Sequence, residues 1–241
     1  MRYWQLGENV WKEAPSWPPP HEEMRWFLHS GGAANTVTGD GTLSRAEPVE
    51  EPADMYVYDP LDPVPTVYGK TLMPTILPAG IADQRPVEAR GDVLCYTSEP
   101  AGEPLAVNGR IRVELWASSS AADTDFTAKL VDVAPDGYAT NLADGIVRAR
   151  YRESPRRRSE PLQPGEPTPL AIDLWDLAHT FLPEHRLRLE VSSSNFPRFD
   201  RNPNTGHEPG ADGPGDAIRA DQRILHDAAH PSALVLPVAI G

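Results

Sequence analysis

The chain has 241 residues, 27 of them proline and 18 glycine, a length that fits one all-β sandwich and a turn content that argues against long helices. A formal net charge of −13 excludes a phosphate backbone or an anionic membrane surface as partner, since both repel a polyanion. Cys95 is the single cysteine, and the first thirty residues hold no apolar core of signal-peptide length, so the expected setting is reducing and cytoplasmic.

In chain order, "MRYWQLG" reads as an extended strand, and "NVWKEAPSWPPP" as an edge segment or connection, because its prolines cannot donate to a ladder. "RWFLH" is a short strand, followed by a glycine-turn loop, and "DMYVYD" is another strand. From Pro60 to Pro86 there are six prolines and no sustained period, which predicts a long loop that is either functional or clamped by a neighbour.

The clearest strands follow. Ile111, Val113, Leu115 and Ala117 alternate with polar or bulky neighbours, and so share one face. Phe126, Ala128 and Leu130 share a face before the phase changes to Val131 and Val133, which predicts a β-bulge near Leu130. The same alternation recurs in "GIVRARYR", "PLAIDLWDL", "RLRLEV" and "ALVLPVAI". About ten short strands without intervening helices predict two packed antiparallel sheets. "ESPRRRSEPLQPGEP" has a linker's composition, but similar strands flank it, so it reads as a connection crossing between sheets.

Several constellations carry chemistry by letters. "HSGG" resembles an oxyanion loop, yet Ser30 lacks the strand-to-helix setting, and no G-x-S-x-G elbow exists in the chain. His226 and His230 have a spacing seen in metal sites but no third ligand nearby, so a capped turn is preferred. Asp123, Asp125 and Asp132 lack the spacing and turn glycine of a calcium loop. No metal and no cofactor is expected. Trp4, Trp11, Trp17 and Trp26 crowd the first 26 residues and are read as an exposed docking edge, weighed against ordinary core burial. "SSSNFPRFDRNPNTG", Ser192 to Gly206, is dense in hydrogen-bonding groups of the kind found both in active sites and in tightly folded loops.

Taken in order, "YDPLDPVPT", "ADQRPVEARGDVLCYTSEP", "VELWASSSAADTDFTAKLVDV", "DGIVRARYRES", "HRLRLEVSSSNFPRFDRNPNTG" and "HPSALVLPV" resemble the C-terminal, non-catalytic domain of the X-prolyl dipeptidyl-peptidase and cocaine-esterase-like serine hydrolases. The resemblance spans nearly the whole chain. It implies a jelly-roll β-sandwich, similar to galactose-binding domains, as a single domain over residues 1–241. It also implies that the catalytic triad belongs to a preceding α/β-hydrolase domain, which becomes the expected partner. "QLG" stands where the family carries "MG", and the chain is read as an excised domain or the product of a truncated frame.

On that resemblance the domain braces the hydrolase and walls part of its pocket. The loop from Tyr68 to Arg85, with Tyr68, Leu72, Met73, Pro74, Ile76 and Leu77, is placed nearest the substrate, and some of its apolar members are expected to face outward. Arg198, Asp200, Arg201, Asn202 and Asn204 match no catalytic position of the family. They are read as a self-bonded surface loop whose arginines pair with Asp200 or with a carboxylate of the hydrolase. The alternative is a free-standing carbohydrate-binding module of the same fold, recognisable by an aromatic row on an open face. Ester or X-Pro peptide as the parent's substrate, and a homodimer, are left open by the residues.

Overall fold

The alternation of apolar and polar side chains becomes thirteen strands in the computed structural model, which describes residues 1–70, 75–213 and 215–240. They are β1 (Arg2–Gln5), β2 (Val10–Glu13), β3 (His21–His29), β4 (Thr42–Ser44), β5 (Asp54–Tyr58), β6 (Leu94–Ser98) and β7 (Leu105–Ser119). There follow β8 (Asp125–Val133), β9 (Ala139–Arg148), β10 (Thr168–Phe181), β11 (Arg186–Ser192), β12 (Ala220–Leu225) and β13 (Ala233–Ala239). The one α-helical turn among the described residues, α1 (Arg85–Glu88), begins with Pro86 in its first turn, where a missing N–H costs nothing. Strand makes up 45% of the chain and helix 3%, so the fold is all-β. No described helix is long and apolar enough to cross a membrane.

Two layers form the sandwich. In one, β7 pairs along one edge with β10, and shares its other edge between β13 and β12, which continue to β3 and β5 respectively. The other runs β6–β11–β8–β9, all antiparallel. The short strand β4 links the layers, antiparallel to β3 and parallel to β6.

Between the layers Ile111, Val113, Leu115, Phe126, Leu130, Ile172, Leu174, Leu189 and Leu234 are buried in one cluster, on the faces that alternation assigns them. The register slips between Leu130 and Val131, where the change of phase predicts a bulge.

Strand β11 differs from expectation. Period two places Arg188 and Glu190 outward, but both are buried, because α1 and the residues around it cover the second face. Arg188 pairs with Glu88 at 2.7 Å and donates to Thr97 Oγ1 at 2.8 Å. Lys129 pairs with Glu190 at 2.8 Å and donates to Gln84 Oε1 at 2.8 Å. Burial pushes the Glu190 carboxyl above its ordinary range, against the opposing pull of Lys129.

Candidate docking face and cleft

The long proline loop is clamped rather than free-standing. Val64 N–H donates to Ser194 Oγ at 2.9 Å, Phe196 N–H to the Val64 carbonyl at 2.9 Å, and Thr66 N–H to the Phe196 carbonyl at 2.7 Å. Gly69 and Gly80 exchange two backbone bonds of 2.9 Å, which pinches the loop closed. Beyond the pinch, Ala82 N–H donates to Asn141 Oδ1 at 2.7 Å and Gln84 N–H to the Ala139 carbonyl at 2.9 Å. Leu72, Met73 and Pro74 lie outside the described residues. Of the other assigned members, Tyr68 and Ile76 are exposed, whereas Leu77 is 6% exposed and belongs to the interior.

The N-terminal segment forms the β1–β2 hairpin. Gly7, at φ +83°, lets it lie against β10, since a Cβ there would collide with the Thr180 carbonyl. Leu6 N–H donates to the Ala178 carbonyl at 3.0 Å, and Thr180 N–H returns a bond of 2.9 Å to the Leu6 carbonyl. Trp4 and Trp11 are exposed and meet edge to face at 5.4 Å, and Trp17 packs its edge on Tyr3 while its Nε1 donates to Asp176 Oδ1 at 3.0 Å.

Trp26 does not belong with them. It is 8% exposed, because β3 is an interior strand and alternation turns this ring into the core. Sequence reasoning instead missed Trp175, 58% exposed on β10 beside the bulge that follows Asp173. Its signal was present in "IDLWDL", where it falls out of phase with Ile172 and Leu174.

Hairpin, loop and sheet enclose a cleft of about 450 Å³, lined by Trp4, Leu6, Tyr68, Lys70, Ile81 and Asp144 among others. Asp144 is held by Asn195 Nδ2 at 2.9 Å and by the Arg198 guanidinium at 3.0 Å. Lys70 Nζ stands 3.5 Å from the Asp176 carbonyl. Burial pulls its ammonium below the ordinary lysine value, against the pull of Asp144.

The polar segment after β11 is not the surface loop expected. Asn202 and Asn204 are buried, and Asn202 Nδ2 bridges Asp123 Oδ2 at 3.0 Å and Asp125 Oδ1 at 2.9 Å. Those aspartates pair in turn with Arg150 at 2.7 Å and Arg148 at 2.8 Å. Arg198 serves Asp144, as above, and Arg201 donates to the Pro60 carbonyl at 3.1 Å, so neither arginine serves Asp200. Asp200 is exposed and lies 4.0 Å from Arg148. The residues form a buried polar network because the loop closes over the start of β8 and must satisfy the carboxylates of Asp123 and Asp125.

Ser30, His226 and Asp54 do converge, but not as a nucleophilic triad. Ser30 Oγ donates to Asp54 Oδ2 at 2.7 Å and stands 3.2 Å from His226 Nε2. His226 Nε2 faces Asp54 Oδ2 at 3.0 Å and its Nδ1 faces Glu51 Oε2 at 3.2 Å. Burial alone would lower the imidazole's pKa, but the two carboxylates raise it. In its charged form, with a carboxylate at each nitrogen, the ring donates twice and has no lone pair to take a proton from Ser30, whose hydroxyl already donates to Asp54. His230 is remote from this group: it pairs with Asp227 and packs edge-on against Trp116 at 5.0 Å.

The sequence profile described as the X-Pro dipeptidyl-peptidase C-terminal non-catalytic domain matches residues 1–235. The chain is 46% identical over 239 residues to the cocaine esterase of Rhodococcus sp. (strain MB1 Bresler), covering 99% of itself and 41% of the esterase. Among solved structures, an α-amino acid ester hydrolase superposes with a TM-score of 0.85 at 34% identity, over 99% of this chain and 41% of that one. An aminopeptidase from the marine sediment archaeon Thaumarchaeota archaeon gives 0.85 at 33% identity, over 99% and 40%. The chain thus spans about two fifths of the length of these relatives. With its jelly-roll sandwich and its match along nearly every strand, the chain belongs to the X-Pro dipeptidyl-peptidase C-terminal non-catalytic domain family.

Proposed function

We propose that this domain braces an α/β-hydrolase domain acting on acyl esters or X-Pro peptides and walls part of its substrate pocket. The observation that carries the reading is the clustering of exposed apolar side chains around one cleft: Trp4 and Leu6 from the hairpin, Tyr68 and Ile81 from the clamped loop. Contiguous apolar surface of this kind marks a contact site. The edge-to-face meeting of Trp4 and Trp11 breaks any flat aromatic row, which disfavours the carbohydrate-binding alternative. Leu72 and Met73, next to this face in sequence, are carried as pocket-wall residues on the family resemblance.

The test is complex formation with the separately produced hydrolase portion of the 46%-identical esterase. Co-elution with this chain, lost on Trp4→Asp and Ile81→Asp while both variants keep the wild-type melting temperature, supports the reading. No complex, or one indifferent to both substitutions, overturns it.

A further inference from the structure

We infer that the connection from β9 to β10 carries a site of limited proteolysis for endopeptidases that cleave after arginine, and that the cut domain persists as two interlocked chains. None of the residues concerned, Ser154 to Ser159, lines the cleft, so the inference is independent of hydrolase docking.

Arg156, Arg157 and Arg158 are the chain's only run of adjacent basic residues, and all three are exposed. Their backbone is weakly tied down. Arg156 N–H donates to Ser154 Oγ at 3.3 Å and Arg157 N–H to the Ser154 carbonyl at 3.4 Å, both within the turn, and the first backbone bond out of it is Ser159 N–H to the Arg150 carbonyl at 2.8 Å. Among the described residues only Arg158 of the three has a carboxylate partner, the exposed Glu208. Such a turn is open to cutting because an endopeptidase must draw the residues around the bond into an extended form. The guanidinium supplies recognition by a carboxylate in the protease pocket, and no proline follows any of the three. Arg85, by contrast, precedes Pro86, and the exposed Arg45 is followed by Ala46, whose carbonyl accepts from His29 Nε2 at 3.1 Å. Hydrolysis adds the hydroxyl of water to the arginine carbonyl and its hydrogen to the following nitrogen, leaving a new carboxylate and a new amine.

A cut here leaves β1–β9 on one chain and β10–β13 on the other. Every ladder of the second set reaches a strand of the first: β10 to β7, β11 to β6 and β8, β12 to β5 and β7, β13 to β3 and β7. No described ladder joins two strands of the second set. Leu174, Leu189 and Leu234 of the second chain share one buried cluster with Ile111, Phe126 and Leu130 of the first, so core and ladders both hold the halves together.

The probe is an arginine-specific endopeptidase applied to the native chain, followed by intact-mass spectrometry and native size-exclusion. The first products should end at Arg156, Arg157 or Arg158, co-elute at the volume of the uncut chain, and separate only in denaturant. Replacing all three arginines by glutamine should slow the first cut at least about tenfold, since the other sites require local opening of the fold. Replacing them by lysine keeps the charge, and this variant should be cut at the same place by trypsin and spared there by the arginine-specific enzyme. A first cut elsewhere, no cut in the native chain, an undiminished rate in the glutamine variant, a lysine variant that trypsin spares at this turn, or fragments that part or precipitate without denaturant overturns the inference.

Discussion

His226 and Asp54, 172 positions apart, meet at 3.0 Å with both side chains fully shielded from solvent. Around them Glu51, Ser30 and Tyr96 close a hydrogen-bonded cluster that ties the segment before β5 to the end of β12.

The cluster predicts a pH window for stability. Burial would raise the Asp54 carboxyl, but its bonds from His226, the Ala34 N–H, Tyr96 and Ser30 hold it below the ordinary range. Its contribution is therefore present above an unfolded pKa of about 3.9 and is lost as pH falls through the depressed folded value. The raised pKa of His226 acts in the opposite sense: its contribution is full below about 6.5 and is lost as pH rises through the folded value. Urea midpoints of the wild type and His226→Gln should differ most between about pH 4 and 6.5 and converge above. A gap that widens toward pH 9 would contradict the assignment of a charged imidazole.

Leu189 and Arg188 should be comparably costly to remove. Leu189→Ala deletes a buried side chain, for about 2–5 kcal/mol. Arg188→Ala strands the buried Glu88, for about 3–5 kcal/mol. The combined change Arg188→Met with Glu88→Leu should recover most of the second loss. Denaturant titration of the four proteins decides this, and a cheap Arg188→Ala would show that the second face of β11 is open.

Asn202→Asp should destabilise by about 3–5 kcal/mol, because it adds a third carboxylate beside Asp123 and Asp125 and removes the amide that bridges them. Asp200→Ala, two residues away and exposed, should stay within about 0.5 kcal/mol of the wild type. Thermal unfolding separates the two, and similar effects at both positions would contradict the buried network.

Fluorophosphonate should leave Ser30 unlabelled, since its hydroxyl is tied to Asp54, a carboxylate held below the ordinary range and so a weak base, and His226 is engaged by carboxylates at both nitrogens. Mass spectrometry of the treated chain is the measurement. A Ser30 adduct would require an arrangement of His226 different from the one described.

The period-two faces of β7, β8 and β10 were legible because alternation directly reports which side meets the core. It does not report what covers the other side, so Arg188 and Glu190 read as solvent-facing until α1 was placed over them. Adjacency in sequence misled in a similar way at Trp26, which shares a neighbourhood with the exposed Trp4 and Trp11 and the half-buried Trp17 but lies on an interior strand. The His226 cluster was unreadable for a different reason. Its members are ordinary residues in separate turns, and only the closing of the layers brings them together. The family resemblance supplied what no local pattern held, the place of this chain in the X-Pro dipeptidyl-peptidase C-terminal non-catalytic domain family.

Strand β7 has a consequence for how the chain is made. Its partners β10, β12 and β13 all lie after it, the last ending at Ala239. Until β10, β12 and β13 have been synthesised, the fifteen residues of β7 stand with ladder groups that no earlier strand of the layer satisfies. Nascent chains therefore pass through an interval with an open strand available to other copies, and completion of this layer is deferred until β13 has been made. Heterologous yield should accordingly depend on synthesis rate and on chaperones that shield unpaired strands, and a stop codon placed before Ala233 should send the product to the insoluble fraction.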